Sequence, residues 1–392
     1  MSASFSQRLL RWFDHHGRHD LPWQSPRTPY RVWLAEVMLQ QTQVAAVIPY
    51  FQRFVARFPE LADLAAAPAD DVLQHWAGLG YYARARNLQR AAQLIVSQHG
   101  GEFPRDIEAL TALPGIGRST AGAILAQAYG QRHAILDGNV KRVLARHGAI
   151  AGWPGEPRVS KQLWALSESL LPRQRLTDYT QAIMDLGATL CTARKPACTR
   201  CPVSADCRAF QSGRVGEFPA SRPKRERPLR HARLLLVENA AGEILFERRP
   251  PVGIWGGLWC LPMLESGAGG DEEASAWLQQ HHGLRARTVA ALPVISHGFT
   301  HFELELSPLR LRAEPAGNAL SERAELRWIN IAADALPGLP APVSKLLRML
   351  SAPPQVDPQG ILPFAEQRQP ALDRAAGPRP RKRRASTSSS PR

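Results

Sequence analysis

Through the first 210 positions apolar residues recur at three- and four-residue spacing, the period of a helix buried on one face. The pattern predicts helices over 5–13, 30–39, 44–58, 72–76, 83–96, 107–112, 120–128, 140–145 and 163–170. Pro or Gly stands at nearly every junction, including Pro29, Pro59, Gly100, Gly115, Gly130 and Pro154. β-branched clusters are scarce, so this half reads as an all-α domain of short helices. Beyond position 231 the pattern changes. Segments 232–238, 243–248, 289–295, 302–311 and 326–329 read as strands separated by turn signals, and 272–282 and 343–350 as helices. That is an α+β domain.

The stretch between them holds little to bury. It combines Pro and Gly with clustered Lys and Arg, as an extended basic linker would. The expected organisation is therefore an all-α domain over 1–212, a basic linker over 213–230, an α+β domain over 231–350 and a disordered basic tail over 351–392.

Charge narrows the partners. Lys plus Arg is 49 against 34 acidic residues, a formal +15. The last 22 residues hold seven Lys/Arg and one Asp, so the tail supplies +6 and the body keeps +9. A basic body points to a polyanion, and nucleic acid is the expected partner. No apolar run reaches the length of a membrane-spanning helix, and residues 1–8 show no signal-peptide core. Of five cysteines, four fall within 17 residues and Cys260 stands apart. That is not a secreted disulfide framework, and a reducing cytoplasm is expected.

The four are Cys191, Cys198, Cys201 and Cys207, with gaps of six, two and five residues. Thiols this close in a reducing compartment point to a shared metal centre. Zinc sites usually pair two short knuckles, and only one short pair exists here. Thiolates from one contiguous loop suit an iron–sulfur cubane better, although the spacing leaves zinc open. Arg194, Lys195, Arg200 and Arg208 surround the thiols and could meet phosphates.

Upstream, Leu113-Pro-Gly-Ile-Gly-Arg-Ser119 joins two helical segments. Gly115 and Gly117 would let the backbone approach a phosphate, and the following helix N-terminus would offer free N–H groups. A helix–hairpin–helix of this kind docks on DNA without reading bases.

Two carboxylates stand out. Glu36 lies in a segment apolar on nearly all sides, sharing a face with Val32, Trp33 and Leu39. Burial there would raise its pKa and let it hold a proton near neutrality. A structural pairing with a buried Arg is the competing reading. Asp137, in Ile135-Leu-Asp-Gly-Asn-Val-Lys-Arg142, has the chemistry of a turn and helix N-cap. It could also be a second carboxylate at a helix mouth, beside Lys141 and Arg142.

Together these segments, with Leu21-Pro-Trp23, Glu36-Val-Met-Leu-Gln-Gln-Thr-Gln43 and Gly78-Leu-Gly-Tyr-Tyr-Ala-Arg-Ala-Arg86, resemble the helix–hairpin–helix DNA glycosylases, and within them the adenine glycosylases of the MutY type. The resemblance runs from about residue 5 to 350. It implies a 4Fe–4S cluster on the four cysteines. It also implies hydrolysis of the N-glycosidic bond of adenine flipped out of a pair with 8-oxoguanine or G. Glu36 would then protonate adenine N7, and Asp137 would stabilise the oxocarbenium-like C1′, directly or through a transient covalent adduct. Gln41 and Tyr81 match residues that wedge into the duplex. Leu39 and Thr42 match neighbouring contacts, and Gly115, Gly117, Ser119 and Lys141 fall on the DNA-binding surface. The partner implied is double-stranded DNA bound by a monomer, with no membrane.

The second half resembles the Nudix fold through Gly256-Gly-Leu-Trp-Cys-Leu-Pro262 and the helix after it. The carboxylates of a Nudix catalytic box are missing, because Trp277, Gln280 and His281 occupy their places. A metal-dependent pyrophosphatase is not expected. In the family this domain recognises 8-oxoguanine, and the matching loop here is Phe299, Thr300 and His301, with Thr where Ser is usual. The nearest rival enzyme is an endonuclease III-like glycosylase with lyase activity. Such lyases use a Lys where this chain has Ser119, which cannot form a Schiff base. A non-enzymatic DNA-binding module would leave Glu36 unexplained.

Overall fold

The computed structural model describes residues 3–223, 226–265, 271–314, 324–332 and 336–351. Among the described residues eleven α-helices precede the cysteine loop, the last running on into a π-helical turn over Leu186–Leu190. They are α1 (Phe5–His16), α2 (Pro29–Leu39), α3 (Val44–Arg57), α4 (Leu61–Ala66), α5 (Ala69–Trp76), α6 (Ala83–His99), α7 (Ile107–Ala112), α8 (Arg118–Tyr129), α9 (Gly138–His147), α10 (Pro157–Ser169) and α11 (Leu176–Asp185). A short α12 (Arg208–Gln211) closes the cysteine loop.

Local chemistry sets the ends. Ser4 and Gln7 form a capping box at α1, while Thr28 caps α2 ahead of Pro29, whose fixed φ suits the first turn. Gly100 and Gly130 end α6 and α8 in the left-handed conformation. Of these helices, α4, α11 and the short α12 lie outside the segments predicted from spacing. The omission of α11 is instructive, because Leu176, Tyr179, Ile183, Leu186 and Leu190 carry a clear three–four repeat and are all buried.

These helices build two lobes. One core gathers apolar residues of α2, α3, α5 and α6, including Trp33, Phe51, Phe54 and Trp76. The other gathers α1, α9, α10, α11 and the cysteine loop, including Leu9, Val140, Leu144, Leu163 and Ile183. Helix α8 serves both, with Ile124 and Leu125 in the first core and Ala123 in the second. An α-carbon without a side chain at Gly122 makes this possible, since a Cβ there would come within 2.5 Å of the Ala134 carbonyl oxygen. The segment leading to α9 therefore lies directly against α8.

The second half is a mixed sheet of eight strands: β1 (Leu229–Glu238), β2 (Ile244–Arg248), β3 (Trp259–Cys260), β4 (Met263–Leu264), β5 (Ala286–Ala291), β6 (Ile295–Gly298), β7 (Glu303–Ala313) and β8 (Leu326–Ile329). The main order is β3-β2-β1-β7-β5, with β4, β6 and β8 added at β1, β7 and β2. At the centre β1 and β7 pair in parallel from Leu229↔Glu303 to Glu238↔Arg312. Alternation along β1 divides the two faces. Leu235 and Val237 pack beneath α13 (Asp271–His282). Ala232, Leu234 and Leu236 join the core containing Val343, Leu346 and Leu347 of α14 (Ala341–Ser351). The strand predicted over 289–295 is instead the end of β5, a break and the start of β6. Pro293 in that break has no N–H for a ladder.

The described residues up to Met349 form one compact unit, and the core of the first lobe continues into the sheet. Trp259 Nε1 donates to Asp70 Oδ2 at 3.2 Å, and Arg248 pairs with Asp70 at 2.8 Å. Arg86 donates to the Gly256 carbonyl, and the Tyr82 hydroxyl to the Leu339 carbonyl at 3.3 Å. The basic tail predicted from 351 onward lies, past Ser351 itself, outside the described residues.

Candidate active site

The two singled-out carboxylates come from different lobes, Glu36 from α2 and Asp137 from the start of α9, and lie near enough for the charge of Asp137 to act on Glu36. Glu36 projects from α2, which is buried on most sides, and α2 packs on α8. Its carboxyl is deeply enclosed, although the residue as a whole is only partly buried. Burial, then the charge of Asp137, push its pKa up to about 8, and a hydrogen bond from Gln127 pulls the other way. The Gln127 Nε2–Oε1 distance is 3.1 Å. The competing reading, an ion pair with a buried Arg, finds no support among the described residues. Arg84, a partly buried cation on α6, donates to the carbonyls of Val37, Met38 and Gln40 instead.

Asp137 combines both of its sequence readings. Its Oδ1 accepts from Val140 N at 2.7 Å, the N-cap of α9, and Asn139 Nδ2 reaches Oδ2 at 3.4 Å. Burial nevertheless raises its pKa, against the cap bonds and the charges of Arg142 and Lys141. The helix cap is thus also a buried carboxyl whose charge acts on Glu36. Ser119 belongs to the same group, because its hydroxyl accepts from Leu136 N at 2.9 Å, one residue before Asp137.

A polar relay ties this end of α9 to the cysteine loop. Asn139 Oδ1 accepts from Arg142 Nη2 at 2.8 Å, and Arg142 Nε donates to the Cys191 carbonyl at 2.7 Å. Gly187 permits the approach, since a Cβ there would sit 2.6 Å from Asn139 Cβ. One turn on, Arg146 donates to Cys191 Sγ at 3.4 Å and to the carbonyls of Thr192, Ala193 and Phe218.

The four loop cysteines are free thiols lining one pocket with Leu186, Leu190, Val203 and Val215. Burial and the neighbouring thiols push Cys201 up to about 11, and Cys198 and Cys207 rise too. Thiolates in such a pocket need a metal's positive charge. Among the described residues no three His, Cys, Asp or Glu side chains group around a single ion. A cubane takes one thiolate at each of four separate irons, so thiols ringing a pocket suit it better than they suit zinc. Arg194, Lys195, Arg200 and Arg208 are exposed on the same loop. Cys260, by contrast, is fully buried in the sheet domain, its thiol pushed up to about 12 by burial.

The residues expected to meet a duplex, Gln41 and Tyr81, fall on two adjoining loops. Gln41 and Tyr81 are both exposed and both non-glycine residues in the left-handed region, at φ 60° and 49°. Arg84 lies beneath them. It donates to the carbonyls of Val37 and Met38 at the end of α2 and of Gln40 in the loop after it, and to Leu79 and Gly80 of the other loop, and reaches Thr42 Oγ1 at 3.4 Å. Leu39 packs partly into the core. In the hairpin, Gly115 needs its φ of 79°. Gly117 faces open space and α8 has no side-chain cap there, leaving its first N–H groups available to an anion.

On the sheet domain, Phe299 N donates to the Phe302 carbonyl at 2.9 Å, closing the turn between β6 and β7. The Phe299 and Phe302 rings stack at 4.5 Å, which leaves Thr300 and His301 exposed at the tip. Where a Nudix box would carry carboxylates, Trp277 stacks on His281 at 4.4 Å.

Comparison with known proteins agrees with this arrangement. Residues 34–169 match the family model of the HhH-GPD superfamily base excision DNA repair proteins, 191–207 the iron–sulfur binding domain of endonuclease III, and 233–349 the NUDIX domain. Adenine DNA glycosylase of Buchnera aphidicola (strain APS) is 37% identical over 343 residues, covering 88% of this chain and 96% of that protein. The chain belongs to the adenine DNA glycosylase family. The human adenine DNA glycosylase is 36% identical over 384 residues, covering 83% of this chain and 70% of its own. A thermostable thymine-DNA glycosylase structure is similar over 53% of this chain and 95% of its own, at 28% identity and a TM-score of 0.47.

Membership settles the class of the molecule as a base excision DNA glycosylase with an iron–sulfur loop and a Nudix-like domain, and its cofactor as a 4Fe–4S cluster. Among the described residues no helix is long and apolar enough to cross a membrane. Sequence reading did not single out Gln127, Asn139 or Arg84 as site residues. A lone polar residue on the buried face of α8, one turn from Ile124, was the available signal for Gln127.

Proposed function

We propose that this glycosylase excises adenine paired with 8-oxoguanine or G, using Glu36 as general acid and Asp137 as electrostatic partner, without cleaving the strand. The carrying observation is the environment of Glu36, a deeply enclosed carboxyl raised to about 8 with an amide rather than a cation beside it. At neutral pH such a group holds a proton that it can transfer. Given to adenine N7, that proton lets the N9–C1′ electron pair leave with a neutral base. Asp137 then faces the cationic sugar, and water completes the hydrolysis at C1′.

The remaining residues take supporting roles in this reading. Gln41 and Tyr81 enter the duplex and occupy the gap left by the flipped base, with Leu39 and Thr42 beside them. The hairpin at Gly115 and Gly117, with Lys141, holds backbone phosphates. Cys191, Cys198, Cys201 and Cys207 ligate the cluster, which when bound fixes the loop carrying Arg194 and Lys195. Thr300 and His301, on the turn stiffened by Phe299, read the lesion opposite. Residues 1–212, 213–230 and 231–350 act as catalytic domain, linker and lesion-reading domain. Ser119, its hydroxyl engaged by Leu136 N, offers no amine for a lyase step.

The test is single-turnover excision on matched duplexes carrying A opposite 8-oxoguanine, A opposite G, or thymine glycol. Free adenine should appear from the first two only, with strand breaks only after alkali and no borohydride-trapped adduct. Release of thymine glycol, or trapping, would overturn the reading in favour of an endonuclease III-like lyase.

A further inference from the structure

Gln127 is a buried amide, 4% exposed, on the face of α8 that packs against α2. A buried amide is retained only where its hydrogen-bonding groups are met, and its Nε2 meets Glu36 Oε1 at 3.1 Å. The contact joins residues 91 positions apart. It ties α8 to α2, and it touches the one carboxyl proposed to move a proton.

A free carboxyl can carry its proton on either oxygen, and the two are equivalent by rotation. A donor fixed on one side breaks that equivalence, because an oxygen that accepts from an N–H is disfavoured as the protonated one. Resting on the assignment of Glu36 as the acid, we propose that Gln127 is a positioning residue: it holds Oε1 so that Oε2 carries the proton and faces the base.

The same bond adjusts acidity. Glu36 is surrounded by few charges. Asp137, at the mouth of α9, is the titratable group that acts on it, and Lys141 and Arg142 behind it act on Asp137. From α6, Arg84 spends its donors on the carbonyls ending α2, and α8 contributes Gln127. Burial and Asp137 both favour the protonated acid, whereas the amide favours the ionised one. Without Gln127 the acid would hold its proton more tightly and in no fixed direction. General acids work best with a pKa near the working pH, so both changes slow transfer.

The experiment compares the pH dependence of single-turnover adenine release by full-length, cluster-loaded wild type, Gln127→Met, Gln127→Glu and Glu36→Gln. Methionine keeps length and burial and removes the donor. In Gln127→Met the descending alkaline limb should move up by about one pH unit, as loss of one hydrogen bond to a charged group requires. The neutral-pH rate should fall roughly tenfold, with duplex affinity unchanged. Gln127→Glu keeps the shape and sets a second carboxyl beside the first. The limb should move further up, and this variant carries the reading if the Met variant fails to fold.

A limb that stays at the wild-type position in both variants, whatever the plateau does, reduces Gln127 to a packing residue and overturns the inference. A Glu36→Gln variant that retains the wild-type rate and profile instead overturns the acid assignment beneath it. The two failures are therefore distinct.

Discussion

Arg84 lies under Tyr81, its guanidinium 5.4 Å from the ring centroid, and the same side chain holds carbonyls on both the loop of Gln41 and the loop of Tyr81. Gln41 and Tyr81 each sit in a backbone conformation that costs a non-glycine residue about 1 kcal/mol or more. Such residues persist where the surroundings over-determine them, and here one planar cation does so from below. Arg84→Lys should therefore behave as a loss despite conserving charge, because an ammonium has three donors and no fork. The expected outcome is a fall in melting temperature, from roughly 1–3 kcal/mol of unsatisfied carbonyls. Excision from duplex should drop more than excision from single-stranded substrate, read by single-turnover rates on both. Equal losses on the two substrates would count against a role in presenting the wedge.

Metal content follows from the thiol pocket. Protein isolated without air should be brown and carry about four irons per chain with little zinc, by elemental analysis and the visible absorption of a cubane. Stoichiometric zinc would contradict the ligand assignment.

The raised pKa of Glu36 has a consequence for stability. Its folded value, about 8, lies above the ordinary 4.5. Stability linked to this group is fully present below pH 4.5 and is lost as pH rises through 8, where the folded protein must ionise a buried carboxyl. Glu36→Gln cannot ionise. Its melting temperature relative to wild type should therefore climb between about pH 4.5 and 8 and then level off. A difference independent of pH would mean that the carboxyl is solvated.

Lesion reading is assigned to the turn that the stacked Phe299 and Phe302 hold out from the sheet. Thr300→Val keeps the shape of the tip and deletes its hydroxyl. The preference for 8-oxoguanine over G opposite adenine should fall by roughly tenfold, within the 1–3 kcal/mol of one placed hydrogen-bonding group. Matched duplexes differing only at that base measure it. An unchanged ratio would move lesion reading elsewhere in the chain.

Much of this was legible in residue order. Glu36 could be found because a carboxylate on a helix apolar all round must be either paired or protonated, and Asp137 because Asp-Gly-Asn announces a helix start. The burial of that carboxyl goes with the close approach of α8 to residue 134 at Gly122, a contact between segments that no local pattern encodes. Gln127 and Arg84 were hidden for the same reason: their partners lie 91 and 44–47 positions away. In the second half, β3 and β4 are two residues each and too short for alternation to register. The docking of Trp259 on Asp70 joins positions 189 apart. Periodicity reveals which face is buried, and the structure alone reveals against what.

The most direct test of the account is Glu36→Gln on a duplex carrying A opposite 8-oxoguanine, measured as single-turnover release of free adenine alongside the dissociation constant. Shape is kept and only the acidic proton is lost. The account predicts a rate at least about 100-fold below wild type, within the 10²–10⁴-fold span of general acid catalysis, with affinity for the lesion duplex largely intact. A variant retaining more than roughly a tenth of the wild-type rate would contradict it.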